Sequence, residues 1–416
     1  MIKFVDLFAG TGGIRLGFEQ ACNELNIKTQ CVFSSEIDKK AASSYELNFG
    51  ENPLSDITKI KELPDFDFLL AGFPCQAFSY AGNQNGFSDE TRGTLFFDIL
   101  RILKDKKPKH LLLENVRGLT THDKGNTFRV IKESLIELGY SIDFALLNSS
   151  EFGLPQNRVR IYIVGTLGEE AKLSLEDSLG AIDTNKFISK QGAATVSDIL
   201  ETNVDKKYHC SESFQEKLQT VIGSDLSKLN GYRLSDYRGG KTLHSWNLGI
   251  KGECSVDEVE FLNLLIANRR KKIFGTHQDG KSLTKEQILT FYSLGNFDDV
   301  SESLIEKGYL KNIEGKYKPV CGNMSFEVFK FLDPKSISLT LTASDSNRLG
   351  IIQNNIARRL TPRECARLQG YPESYKLLEN DNAVYKQMGN GVSVPVIKHV
   401  IKDFFTQSVL SDKKCS

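Results

Sequence analysis

The sequence predicts an α/β protein: a doubly wound, mostly parallel, Rossmann-like sheet forms the larger domain, and a smaller, irregular α+β region interrupts it. Three observations carry this prediction. Apolar runs of strand length alternate with amphipathic stretches through the first 165 residues. The first run feeds directly into a glycine-rich turn. The alternation stops after Gly165 and orderly patterning resumes only beyond about residue 335. Continuous apolar strands spaced by helices are what a parallel sheet covered on both faces requires.

In order, strands are expected at Ile2–Phe8, Gln30–Ser35, Phe66–Ala71, His110–Leu113, Ser141–Leu147 and Arg160–Gly165. Helical spacing occupies Gly13–Leu25, Lys39–Asn48, Leu95–Lys104 and Thr127–Leu138, the last stopped by Gly139 in the usual post-helix position. Residues 1–185 are therefore expected to form the first domain, 186–335 a second, and 336–416 a return to the first. Within the second, helical spacing at Val256–Asn268 leads into the basic run Arg269–Lys272. Thr284 is placed to cap a helix reaching Tyr292, Asp299–Lys307 reads as another helix, and Tyr309–Leu310 and Tyr317–Val320 flank a turn at Glu314–Gly315. Three short helices and a hairpin over 256–320 give the element order of a winged-helix DNA-binding unit; a generic small α+β insert fits the same pattern. In the return segment, Thr361, Pro362 and Glu364 form a helix start that should run to Gln369 and stop at Gly370. Gly389–Gly391 reads as a tight turn before a final apolar strand or helix at Val392–Phe405.

The 416 residues are 40% hydrophobic and 25% charged, which excludes a disordered chain, collagen or a coiled coil. There is no apolar run of transmembrane length, and the first residues read as a strand rather than a signal peptide. Eight cysteines without a Cys-x-x-Cys pair suggest a reduced, cytoplasmic protein without a structural zinc. The 53 basic residues balance 53 acidic ones, so any nucleic-acid partner must be met by a local basic lining rather than by net charge.

The candidate chemistry clusters at strand ends. Ala9-Gly10-Thr11-Gly12-Gly13 lets the backbone approach a ligand at a helix amino terminus, a pattern shared by dinucleotide and S-adenosylmethionine sites and by purely structural turns. Glu36 ends the second strand, where a carboxylate accepts ribose hydroxyls, and Asp56 is placed to bind an adenine amino group. Cys75 follows a buried strand behind Pro74, like a nucleophile at the mouth of the sheet; Cys22, Cys31 and Cys365 read as ordinary packing cysteines. Glu114 tips the next apolar strand, and Arg158 and Arg160 enter the sixth on one face.

These motifs, in this order, resemble the C5-cytosine DNA methyltransferases of bacterial type II restriction-modification systems: FVDLFAGTGG at 4–13, GFPCQAFSYAG at 72–82, ENVRGL at 114–119, QNRVRIYIVG at 156–165, RRLTPRECARLQGYP at 358–372 and GNGVSVPV at 389–396. The resemblance covers nearly the whole chain outside about 190–335. It implies a S-adenosylmethionine-dependent methyltransferase domain and a target-recognition domain. Cytosine C5 is a poor nucleophile, and thiolate addition at C6 makes it enamine-like. The resemblance makes Cys75 that nucleophile, Glu114 the group that holds N3 and the exocyclic amine, and Arg158 and Arg160 the groups that orient them; no side chain announces itself as the base for the C5 proton. It assigns S-adenosyl-L-methionine to Phe8, Gly10, Thr11, Gly12, Gly13, Ile14, Glu36, Ile37, Asp56, Ile57, Pro74, Leu95, Asn390 and Val392, and implies no metal. The target cytosine has to leave the double-stranded DNA helix, and Ser79 matches a phosphate-contacting serine.

The densest polar and aromatic stretch of the variable region is Tyr232–Trp246. Thr242–Leu243 resembles a dipeptide of these recognition regions, and Arg238, Lys241, Thr242 and His244 are candidates for base or phosphate contact; each also reads as a solvated surface residue. The region is similar to the subgroup that modifies GGYRCC. The resemblance further implies a monomer whose functional partner is a restriction endonuclease. An amino-methylating enzyme would need a Pro-Pro motif, and the chain has no adjacent prolines. A transfer-RNA cytosine-5 methyltransferase remains the alternative, though it would lack so large a recognition region. A nicotinamide oxidoreductase would leave Cys75, Glu114 and the arginine pair unexplained.

Overall fold

The computed structural model describes residues 1–74, 95–175, 193–237, 239–276, 281–320 and 326–412. The chain divides into two units, one of 1–200, 335–346 and 362–416, the other of 201–334 and 347–361.

The first unit opens with β1 (Ile2–Leu7), α1 (Gly13–Glu24), β2 (Thr29–Ser35), α2 (Lys39–Phe49), β3 (Phe68–Gly72), α3 (Leu95–Lys106), β4 (His110–Val116), α4 (Asn126–Glu137), β5 (Tyr140–Asn148) and β6 (Val159–Leu167). These strands form one sheet in the order β2-β1-β3-β4-β6-β5. The β1–β2, β1–β3 and β3–β4 pairs are parallel. The pairs made by β6 are antiparallel on both sides, the exceptions that make the sheet mostly rather than wholly parallel. Only residues 149–158 join β5 to β6, too few for the crossover that parallel neighbours need.

Alternate residues explain why these strands read as unbroken apolar runs. Val5, Leu7, Leu69, Leu111, Leu113 and Ile163 pack with α3 and α4 residues such as Ile99, Leu103 and Ile131. Phe4, Phe68, Leu70, Leu112 and Val164 pack on the other face with Phe18 of α1 and with Val400 and Phe404 near the chain end. Both faces are therefore buried, and the carboxyl ends of β1, β3 and β4 are left to form a site.

The second unit contains α5 (Glu212–Ile222), β7 (Arg233–Leu234), β8 (Thr242–Leu243), α6 (Val256–Asn268), β9 (Leu283–Thr284), α7 (Lys285–Leu289), α8 (Phe297–Glu306), β10 (Leu310–Ile313), β11 (Lys316–Pro319), β12 (Lys330–Phe331), β13 (Leu349–Gln353) and β14 (Ile356–Arg359). Two small sheets result, β14-β13-β12-β7-β8 and β10-β11-β9. Each has its own core: Phe214, Leu218, Leu234, Leu243, Val328 and Phe331 in one, Phe261, Leu265, Ile288, Tyr292, Leu304 and Tyr309 in the other. Capping boxes start α6 at Ser255 with Glu258 and α7 at Thr284 with Gln287. Glu314 and Gly315, both left-handed at φ 52° and 76°, turn the β10–β11 hairpin.

The boundaries expected at 185/186 and 335/336 shift. Residues 193–200 go with the first unit, and 347–361 with the second, because the β13–β14 hairpin pairs through β13 with β12. The chain then returns to the first unit in α9 (Pro362–Leu368), α10 (Asp381–Asn390) and α11 (Val394–Asp412). The expected turn at 389–391 is instead the last turn of α10 and its cap, Gly391. Gly389 is required there by close approach: a Cβ would lie 2.3 Å from the Thr342 carbonyl carbon. Among the described residues no helix is long and apolar enough to cross a membrane.

Candidate active site

A cavity of about 500 Å³ opens at the carboxyl ends of β1, β3 and β4. Its wall includes Phe8, Gly10, Thr11, Gly13, Ile14, Glu36, Ile37, Pro74, Leu95, Asn390 and Val392. Gly10 and Gly12 have φ of 55° and 78°, the left-handed region that only glycine enters without strain. A Cβ on Gly13 would lie 2.6 Å from the Tyr371 hydroxyl and 2.9 Å from Val392 Cγ2, so the backbone itself forms the wall.

Glu36 accepts the Gly10 N–H at 2.8 Å through one oxygen and the Asp38 N–H at 2.7 Å through the other. Both bonds orient the carboxylate and leave lone pairs for further donors. Ile37, 71% exposed, offers an apolar surface to the same cavity. Backbone amide donors at a helix amino terminus, an oriented carboxylate acceptor and an apolar shelf are the groups that S-adenosylmethionine needs. S-adenosylmethionine therefore fits these residues.

Three of the assigned cofactor residues, Asp56, Ile57 and Gly12, are not part of the cavity wall. Asp56 caps a single helical turn, accepting from the Thr58 N–H at 3.1 Å and its hydroxyl at 2.7 Å, with Lys59 at 3.3 Å. Ile57 is buried in the core beneath α3. Neither lines the cavity, and Gly12 also stands behind it, 2.1 Å from Phe49 Cε2 if given a Cβ.

The reacting end of the cavity is built by β3, β4 and β6. Glu114, 8% exposed, lines it from β4 and lies 3.3 Å from Arg160 Nε across the strand pair. Burial pushes its carboxyl above the usual range, and the charges of Arg160 and Arg158 pull it partly back. Asn115 turns the other way, donating from Nδ2 to the Phe73 carbonyl at 2.9 Å, and so pins the backbone just before Pro74. Cys75 and Ser79, expected next along the chain, lie outside the described residues, as does Arg238.

Arg158 lines the same cavity as Glu114 and Arg160, but its hydrogen bonds go to backbone carbonyls. It is 2% exposed, and its guanidinium donates to the Leu341 carbonyl at 2.8 Å and to the carbonyls of Gly389 at 3.3 Å and of Gly391. It ties the 389–391 wall of the cavity to the 341 segment; among the described residues, only Arg160 of the pair makes an ion pair with Glu114. Sequence spacing placed both arginines on one face and said nothing of the distant carbonyls that claim one of them.

Reasoning from sequence also missed Tyr371, whose hydroxyl is 2.7 Å from Thr11 Oγ1, and the Lys386–Asp38 pair at 2.8 Å on the cavity rim. Helix α10 reaches α2 through Gln387, which donates to the Lys40 carbonyl at 3.0 Å and accepts from Ser44 Oγ at 3.0 Å. The packing cysteines behave as read. Cys22 and Cys365 are fully buried, and burial pushes the thiols of Cys22 and Cys31 up to about 12, out of reach of thiolate chemistry.

In the second unit the recognition candidates separate. Lys241 is exposed, bonded to the Asn230 carbonyl at 2.7 Å and 5.0 Å from the Tyr232 ring centre. Thr242 pairs with Arg233 on the neighbouring strand. His244 is a correction: it is 6% exposed, stacks on Trp246 with ring centres 4.3 Å apart, and its Nδ1 lies 2.6 Å from the Ser235 carbonyl. Burial lowers its pKa, and the ring packs in the core of its unit rather than standing solvated at the surface. Of the basic run, Arg269 is buried, Arg270 half-buried, and Lys271 and Lys272 exposed.

The C-5 cytosine-specific DNA methylase family matches the chain over residues 2–406. The type II methyltransferase M.BanI of Aneurinibacillus aneurinilyticus is 60% identical over 414 residues, 98% of this chain and 96% of that protein. M.HgiCI of Herpetosiphon aurantiacus, also a type II methyltransferase, is 56% identical over 420 residues, 99% of each. Among solved structures, the S. pombe Dnmt2 methyltransferase aligns over 98% of this chain and 99% of its own with a TM-score of 0.53 at 18% identity, a likeness of fold alone.

Proposed function

The chain belongs to the C-5 cytosine-specific DNA methylase family and is a type II, S-adenosylmethionine-using DNA (cytosine-5)-methyltransferase; from that premise we propose that it methylates a flipped-out cytosine through a covalent Cys75 adduct, in the site GGYRCC. The observation that carries the reading is the convergence on one cavity of Glu114, Arg160 and the Phe73–Pro74 strand end that leads into Cys75.

S-adenosylmethionine, held by Glu36, Ile37 and the backbone of residues 10–13 and 389–392, supplies the methyl group. The chain's own residues do the rest. The Cys75 thiolate forms a bond to C6, and the electron pair of the C5–C6 double bond becomes available at C5. Glu114, whose buried carboxyl favours the protonated form, gives its proton to N3 as negative charge develops on the ring and accepts from the exocyclic amine. Arg160 stabilises the carboxylate that results. After methylation, loss of the C5 proton restores the double bond and expels the Cys75 thiolate, and N3 returns its proton to Glu114, which leaves the enzyme unchanged. Water is an adequate acceptor for that proton. Arg158 holds the cofactor wall rather than the base.

The base is out of reach inside a duplex, so flipping precedes chemistry; Ser79, Arg238, Lys241 and Thr242 are assigned to phosphate and base contact. Modification of this kind protects DNA from a cognate restriction endonuclease. Mapping 5-methylcytosine in the genome of an expressing host tests the site: methylation of GGYRCC is expected, and unmodified GGYRCC overturns the assignment. If methyl groups appear in transfer RNA and none in DNA, the proposal as a whole falls.

A further inference from the structure

The hairpin β10–β11 carries an unusual charge arrangement. Its register sets Lys311 opposite Lys318 and Ile313 opposite Lys316. Residues two apart on a strand share a face, so Lys311, Ile313, Lys316 and Lys318 lie on one side. Asn312 and Tyr317 lie on the other, where Tyr317 packs on the core and meets Phe297 with ring centres 5.2 Å apart. The outward face therefore bears three lysines, and Ile313 on it is 49% exposed. None of the three lysines has a hydrogen-bond or ion-pair partner among the described residues. Like charges directly opposite on adjacent strands are destabilising, and an anion laid across Lys311 and Lys318 relieves that repulsion.

The neighbouring helix has the opposite sign. Helix α8 buries Phe297, Val300 and Leu304 and exposes Asp298, Asp299, Glu302 and Glu306. Asp298 is paired with Lys285 at 2.6 Å, while Asp299, Glu302 and Glu306 stand unpaired among the described residues. In a helix-turn-helix arrangement the second helix of the pair enters the major groove. Three free carboxylates make α8 unfit for that place, since a duplex carries about one negative charge per 1.7 Å of axis.

We propose that the winged-helix-like unit of residues 256–320 grips the phosphodiester backbone of duplex DNA through the lysine face of its hairpin, with Lys311, Lys316 and Lys318 as the contacts, and turns its acidic third helix, α8, away from the duplex. This contact lies outside the segment 232–246 in which base reading is proposed. It positions DNA without reading sequence, because phosphate contacts carry no base information. The inference rests on the reading of the chain as a DNA methyltransferase.

The test uses the whole enzyme and a duplex containing GGYRCC, with affinity measured by fluorescence anisotropy across a salt series. Each neutralised phosphate contributes about 0.9 to the slope of log affinity against log salt. The triple variant K311Q/K316Q/K318Q is expected to lower that slope by about 2 to 3 and to raise the KM for DNA, while kcat and S-adenosylmethionine binding stay at wild-type values. The triple arginine variant should keep the slope, which separates charge from hairpin folding. D299N/E302Q/E306Q on α8 should change affinity less than about twofold. An unchanged slope in the glutamine variant, with wild-type DNA methylation intact, overturns the proposal. So does a strong tightening on neutralising α8. Failure of the wild-type enzyme to methylate any duplex would instead overturn the reading of its function.

Discussion

Replacing Arg158 with methionine separates a residue that shapes the cofactor wall from one that acts on the base. The wild-type guanidinium donates to three carbonyls, at Leu341, Gly389 and Gly391, in a setting that is 2% exposed. Each buried acceptor left unpaired costs about 1–3 kcal/mol. Two of the three belong to the 389–392 stretch that lines the cavity. If the worth of one carbonyl is lost from the cofactor-bound arrangement, affinity for S-adenosylmethionine falls about 10- to 100-fold, at about 1.4 kcal/mol per factor of ten. Titration calorimetry without DNA measures this directly, and single-turnover methylation at saturating cofactor measures what remains. Arg158→Met should raise Kd by that factor and leave the saturated rate within a few-fold of wild type. Arg158→Lys should fall between, since one ammonium lacks the planar fork that reaches several carbonyls at once. Wild-type cofactor affinity combined with a saturated rate reduced a hundredfold would refute the reasoning, because the main role of the guanidinium would then be on the base, beyond the charge by which it already lowers the Glu114 pKa.

Three further predictions follow from the same site. Arg160→Gln removes the stronger of the two charges that lower the Glu114 pKa; if protonated Glu114 is the active form, activity fades as pH rises through that pKa. The alkaline limb of the single-turnover pH profile should therefore move to higher pH while the maximal rate falls, and a limb that stays or moves down contradicts the assignment. Asn115→Ala removes the 2.9 Å bond to the Phe73 carbonyl; at about 1–3 kcal/mol for the buried group released, the rate of Cys75 adduct formation should drop about tenfold or more with cofactor affinity unchanged. Gly13→Ala drives a Cβ to 2.6 Å from the Tyr371 hydroxyl, so calorimetry should show cofactor affinity at least about tenfold weaker, given an overpacking cost of about 1–3 kcal/mol; the companion Gly13→Ala/Tyr371→Phe should recover part of it.

The strand and helix pattern of residues 1–167 was legible because each strand there is buried on two faces or ends at the sheet edge with the same apolar content. Strand direction was not: periodicity carries no sense along the chain, and only the short link before Val159 marks β6 as antiparallel. Glu36 and Glu114 were legible as carboxylates at strand tips. The burial of Arg158 depends on carbonyls 183 and more residues away, and that of His244 on stacking against Trp246, so neither could be read from local spacing. Gly389 reads as a turn residue in the sequence because glycine most often marks one; in the structure it allows a helix to lie against the Thr342–Ala343 backbone. Tyr371 and Lys386 reach the cavity from the far end of the chain, a closeness that no local pattern encodes.

The central claim is covalent catalysis by Cys75 on cytosine within DNA. Its most direct test is incubation with tritiated S-adenosylmethionine and duplex DNA carrying 5-fluorocytosine at the target position, where loss of the C5 substituent is blocked and the adduct is trapped. A tritium-labelled protein–DNA species that survives denaturation, and that is absent with Cys75→Ser, is the predicted result. No adduct with the wild-type enzyme on a duplex whose unfluorinated form it methylates, or an adduct that persists in Cys75→Ser, would contradict the account.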